Sequence, residues 1–99
     1  MPGATHATLA TFDMDLTREA EQRGLLEQVI VPGVAASPGF VSGQWTLDRE
    51  ASQSHVLLTF ESAAHAEAMA SNVRGNAEHQ RAAGIELLSI RVLEVTVTA

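Results

Sequence analysis

FVSGQWTLDREASQSHVLLTFES, residues Phe40–Ser62, carries two alternating segments and the start of a helix. From Phe40 to Asp48, Val41, Gly43, Trp45 and Leu47 alternate with Phe40, Ser42, Gln44 and Thr46, the two-residue period of a strand. The polar segment Asp48–Ser54 fits a hairpin connection. Alternation then resumes over His55–Glu61, with Val56, Leu58 and Phe60 on one face and His55, Leu57 and Thr59 on the other. Ser62 follows directly, with a hydroxyl suited to accept from the open N–H groups of a helix start. The Ala-rich run to about Asn72 then puts Ala66, Met69, Ala70 and Val73 on one side.

Working outward, His6–Met14 is rich in Thr and apolar residues and reads as a first strand. Asp15 or Thr17 is placed to cap a helix that runs to about Val31, with Leu26, Val29, Ile30 and Gly33 as one narrow apolar stripe. Pro32 is expected to end or kink this helix, because proline lacks the N–H and restricts the residue before it. Downstream, Gly75-Asn76 breaks the second helix, a short helical piece covers Ala77–Ala83, and Gly84 suits its C-terminal cap. Ile85–Thr98 is alternating and β-branched, far longer than the usual strand of about six residues.

The order strand, helix, strand, strand, helix, strand is the ferredoxin-like β-α-β-β-α-β arrangement, an α+β fold with an antiparallel four-stranded sheet and helices on one face. The second sheet face would carry Leu57 together with either Leu87, Leu93, Val95 and Val97 or Leu88, Ile90 and Val92. Apolar surface of that extent calls for a cover, and a second copy in a symmetric homodimer is the simplest one. The surplus length of the last strand points the same way.

At 99 residues the chain reads as one domain, 1–99, with an ordinary hydrophobic fraction of 45%. No apolar run approaches the roughly 20 residues of a membrane span, and the start lacks the blocks of a secretory signal, so a cytoplasmic protein is expected. The formal net charge is −6 with no lysine, which leaves no phosphate-neutralising patch and argues against nucleic acid or an anionic membrane as partner. With no Cys, Lys or Tyr, catalysis must draw on His, Asp, Glu, Ser, Thr, Asn or Arg. No pair of histidines has metal-site spacing, so no metal is expected.

The segment PGVAASPGFVSGQWTLDREASQSHVLLTFESAAHAEAMA and the closing IRVLEVTV resemble the antibiotic-biosynthesis-monooxygenase-like group of dimeric α/β barrels. The landmarks are Pro38-Gly39-Phe40, Asp48-Arg49-Glu50, Phe60-Glu61-Ser62 and Val92-Leu93-Glu94-Val95. The resemblance implies a homodimer whose two sheets face each other across a cavity, with the helices outside. It also implies a cofactor-free monooxygenase acting on a hydrophobic aromatic metabolite. Family enzymes often carry Trp where this chain has Phe60 and His where it has Met69. That departure leaves a non-catalytic dimeric ligand-binding or accessory protein as the alternative.

Within such a cavity His55 is the best available general base, since an ordinary histidine titrates near working pH; the plainer role is a strand-end histidine near solvent. Arg91 would hold an anionic or phenolate ligand, or else pair with Glu86 or a partner's carboxylate. Ser42, Gln44, Thr59 and Phe60 are further candidate ligand contacts. Trp45 sits on the more apolar face of its strand, where an indole fills core or interface or serves as a stacking platform, and Gly43 leaves room beside it.

Overall fold

The computed structural model describes residues 3–99. Its strands are β1 (His6–Met14), β2 (Phe40–Asp48), β3 (Gln53–Phe60) and β4 (Ile85–Glu94), joined antiparallel in the order β2-β3-β1-β4. The hairpin read from the sequence pairs Trp45 with Val56 and Gly43 with Leu58, and β3 pairs onward with β1, Val56 opposite Ala10. This is the ferredoxin-like α+β topology, with both helical layers on one face of the sheet.

The helices are α1 (Glu19–Leu25), α2 (Val31–Ala35), α3 (Ala63–Gly75) and α4 (Ala77–Ala82). Asp15 accepts from the Thr17 amide at 3.1 Å and opens a short 3-10 turn, Leu16–Arg18, that leads into α1. Ser62 accepts from the His65 amide at 3.2 Å and caps α3. Gly84, at φ +77°, takes the left-handed conformation that ends α4, and a side chain there would press on Asp15 and Gln22.

Two expectations are corrected. The first helix does not stop near Val31: a π-helical turn, Leu26–Ile30, joins α1 to α2, and the rod passes through Pro32 to Ala35. Proline is accommodated because it stands in the first turn of the renewed α-helix, where its missing N–H costs least, just after the widened π turn. The last strand ends at Glu94 rather than near Thr98; beyond it the Val95 amide still donates to Thr5 O at 2.9 Å.

The core lies between the sheet and α3. Val56, Leu58 and Phe60 from β3 and Ala10 from β1 close on Ala66 and Met69 of α3. Phe60 is wholly buried and meets Phe40 edge to face, with ring centroids 6.0 Å apart. The small Ala66 and Ala70 let the helix approach closely, and buried Thr8 fixes the approach by donating its hydroxyl to Ala66 O at 2.7 Å. Burial of each large side chain here contributes about 1.5–3 kcal/mol.

Candidate functional site

Whereas α3 packs on the sheet, the middle of the α1–π–α2 rod stands away from it. Its stripe of Leu26, Val29, Ile30 and Gly33 does not fill the core as expected; it roofs a cavity of about 800 Å³, and Val29 is 60% exposed. The floor is the helix-side face of the sheet: Thr8, Ala10, Phe12 and Met14 from β1, Trp45 and Leu47 from β2, Val56 and Leu58 from β3. Met69, Asn72 and Val73 of α3 form one wall, and Gln80 and Ile85 belong to the α4–β4 end. Most of the lining surface is apolar, as small-ligand sites require, and Glu19, Arg23 and Glu27 bring charge to the α1 side.

Trp45 is the sequence-predicted residue that lines this cavity. Its position follows from Gly43, two residues earlier on the same strand face. A Cβ at Gly43 would lie 2.9 Å from Leu58 Cδ2 and 3.0–3.1 Å from carbons Cζ3 and Cη2 of the indole. The end of the indole's six-membered ring therefore sits over the glycine, and the missing side chain is what leaves room for it.

His55, Thr59, Ser42, Gln44 and Arg91 all occupy the other sheet face, as the register shows: Thr46 is opposite His55, Gln44 opposite Leu57, Ser42 opposite Thr59, and Leu9 opposite both Leu57 and Arg91. There His55 Nδ1 is 3.2 Å from Thr11 Oγ1, and Ser42 Oγ is 2.7 Å from Thr59 Oγ1. Arg91 is exposed and makes no ion pair among the described residues; Glu86, the partner suggested by sequence, lies 4.0 Å from Arg81 instead. Phe60 points to the helix side but is sealed in the core rather than lining the cavity. Among the described residues, no cluster of three or more metal-ligating side chains stands together, and no helix is long and apolar enough to cross a membrane.

The cavity also differs in place from the one the resemblance implied. It lies between sheet and helices of a single chain, on the opposite face from the one a second sheet would cover. Sequence reasoning missed Gln22, Asn72, His79 and Gln80 on its walls. A signal existed for Gln22: it precedes Leu26 and Ile30 by four and eight residues and so puts an amide in line with the apolar stripe.

An ion pair spans the hairpin end. Arg49, in the turn after β2, donates Nη1 to Glu19 Oε1 at 3.0 Å and Nη2 to Oε2 at 2.8 Å, tying the sheet to the first turn of α1. That hydrogen-bonded guanidinium holds the Glu19 carboxyl below its usual range. Asp15 is held low by its hydrogen bonds from Thr17.

No family model and no curated protein sequence matches the chain. Solved structures do. MupZ from Pseudomonas fluorescens is similar with a TM-score of 0.66 at 13% identity, over 91% of this chain and 71% of that one. The ActVA-Orf6 monooxygenase of Streptomyces coelicolor, solved in complex with nanaomycin D, has a TM-score of 0.63 at 15% identity, over 97% of this chain and 89% of that one. A protein of unknown function from Nitrosomonas europaea reaches 0.67 at 18% identity, over 100% of this chain and 96% of that one. At these identities the likeness establishes architecture: the chain has the ferredoxin-like α+β fold that the ActVA-Orf6 monooxygenase also has.

Proposed function

We propose that this chain is a cofactor-independent monooxygenase-like enzyme that takes a hydrophobic aromatic metabolite into the cavity between the α1–π–α2 rod and the sheet. The carrying observation is that the Trp45 indole, seated over Gly43, lines the floor of a mostly apolar cavity of about 800 Å³. Offset stacking on that ring, worth about 0.5–1.5 kcal/mol beyond burial, favours planar guests. The similarity to a monooxygenase solved with nanaomycin D supports the same class of ligand.

The chemistry asks little of the protein when the substrate is acidic enough to form an electron-rich anion. In the balanced step, a ring methylene and one dioxygen become a ring carbonyl and one water. The carbanion forms a C–O bond with dioxygen, the O–O bond breaks, and the second oxygen leaves as water with the two hydrogens of the methylene. The cavity's part is to hold the anion and oxygen together out of bulk water. His79, Glu19 and Glu27 line the cavity and are the side chains there that can accept a proton.

The second reading, a binding or accessory protein without catalysis, is favoured by one observation: His55 and Arg91 lie on the sheet face away from the cavity. Under either reading the open face is the surface for a second copy. It carries Leu9, with Leu57 and Leu93 each 38% exposed, flanked by His55 and Arg91.

Oxygen uptake by purified protein over a panel of anthrones and naphthols, run beside Trp45 fluorescence titrations, is the test. Quenching with uptake supports the enzyme, and quenching without uptake supports the binding protein. Neither quenching nor uptake across the panel overturns both.

A further inference from the structure

We infer that Arg23 makes the cavity selective for aromatic guests that carry a carboxylate, holding that group at the mouth between α1 and the edge strand β2. The assignment rests on the cavity being the binding site proposed above. Arg23 lines the cavity, and its side chain is 60% exposed. A guest can therefore reach the guanidinium without displacing a packed group.

The register of the rod on the sheet sets where Arg23 stands. β2 is an edge strand, and the pair between Arg49 and Glu19 ties its hairpin end to the first turn of α1. At the other end α2 packs on β2, and residues 37–39 lead straight into Phe40. The rod thus runs back along β2. A helix rises about 1.5 Å per residue and a strand about 3.3 Å, so Arg23 stands about 6 Å from the Glu19 anchor and Trp45 about 13 Å from Arg49. The remaining offset along the rod, about 7 Å, is within the span of a two-ring guest. Such a guest, stacked on the indole, directs a substituent on its far ring toward Arg23.

Three guanidiniums stand near this end, and Arg23 is the unspent one. Arg18 bonds Glu21 at 2.8 Å and Ala82 O at 2.7 Å. Arg49 occupies both oxygens of Glu19, at 3.0 and 2.8 Å. Arg23 Nη2 stays 3.7 Å from Glu19 Oε2, too far for a hydrogen bond, and among the described residues its side chain makes none. A free guanidinium presents a planar fork of N–H donors that matches both oxygens of a carboxylate. Arg49 already neutralises Glu19, so the charges left for a guest to meet are Arg23 and, one turn on, Glu27. Glu27 also lines the cavity and makes no ion pair among the described residues. It opposes an anionic guest, so its removal should strengthen the guests that loss of Arg23 weakens.

The test follows quenching of the chain's one tryptophan by 2-naphthoate and by neutral 2-methoxynaphthalene. Both variant positions are exposed, so neither substitution disturbs the core. Arg23→Gln should weaken 2-naphthoate about three- to tenfold, between an exposed ion pair and a charged hydrogen bond, and keep the ether within about twofold. Arg23→Lys should restore part of the loss, because it keeps the charge without the fork. Glu27→Gln should tighten 2-naphthoate by about twofold. High salt should weaken 2-naphthoate alone. Unchanged 2-naphthoate affinity in Arg23→Gln, equal losses for both probes, or a wild type that binds only the ether overturns the inference and leaves the cavity as the site. Failure of both probes to quench wild type overturns the cavity reading and this inference with it.

Discussion

Replacing Gly43 with alanine tests the indole platform through two opposed effects. In a strand, alanine gains about 0.5–1 kcal/mol over glycine by restricting the unfolded chain. Against this, the new methyl would stand 2.9 Å from Leu58 Cδ2 and 3.0–3.1 Å from the indole carbons, and overpacking of that kind costs about 1–3 kcal/mol. Leu58 is buried in the core and has little room, whereas Trp45 borders the cavity and can tilt into it. The yielding partner is the indole, so the net loss should fall near 1 kcal/mol, a drop in Tm of about 4–8 °C for a domain of this size. Tilting also spoils the stacking surface, which should weaken binding of a planar naphthol about two- to twelvefold. Emission from the sole tryptophan and calorimetry report the two effects separately. A Gly43→Ala variant that gains stability, with emission and naphthol affinity unchanged, would refute the placement of the indole over the glycine.

Three further outcomes follow from the same structure. The Arg49 hydrogen bonds lower the Glu19 pKa, so the stability they contribute is present above the ordinary glutamate value of 4.5 and is lost as pH falls through the lower folded value. The Tm gap between wild type and Glu19→Gln should accordingly exist at neutral pH, close on acidification below that value, and shrink in high salt. Phe60→Trp, which enlarges a wholly buried ring, should lose about 1–3 kcal/mol in denaturant unfolding because the site has no spare volume. Leu57→Glu should turn a wild-type dimer into a monomer by light scattering with an unaltered far-UV spectrum. A wild type that is already monomeric at micromolar concentration would remove the proposal of a second copy on that face.

Most of the fold was legible because alternation over Ser42–Asp48 and Gln53–Phe60 is regular and local; it fails at a bulge between Phe40 and Ser42, which turns Phe40 to the core side with Phe60 rather than to the face of Ser42 and Gln44. Val56, Leu58 and Phe60 are buried together, and Ser62 caps the helix that follows. The first helix was less legible. Its stripe gave the correct face, but periodicity cannot tell a face packed on a sheet from one that roofs a cavity, and the π turn that carries the rod through Pro32 has no local signature. The site was legible in part for a similar reason. Alternation separated His55, Leu57 and Thr59 from Trp45's side of the sheet, but only the assembled fold shows which face holds the chamber. Gln22 reaches Ala83, 61 positions on, because Gly84 turns the chain back beside Asp15.

The proposed function requires an aromatic guest to bind between the α1–π–α2 rod and the sheet within one chain. Chemical-shift mapping of isotopically labelled protein titrated with 1,5-dihydroxynaphthalene tests it most directly. The largest changes should fall at the Trp45 indole, Phe12, Leu26, Ile30 and Val34, with His55, Leu57 and Arg91 little moved. Shifts centred instead on His55, Leu57, Arg91 and Leu93 would contradict it and move the site to the opposite face of the sheet.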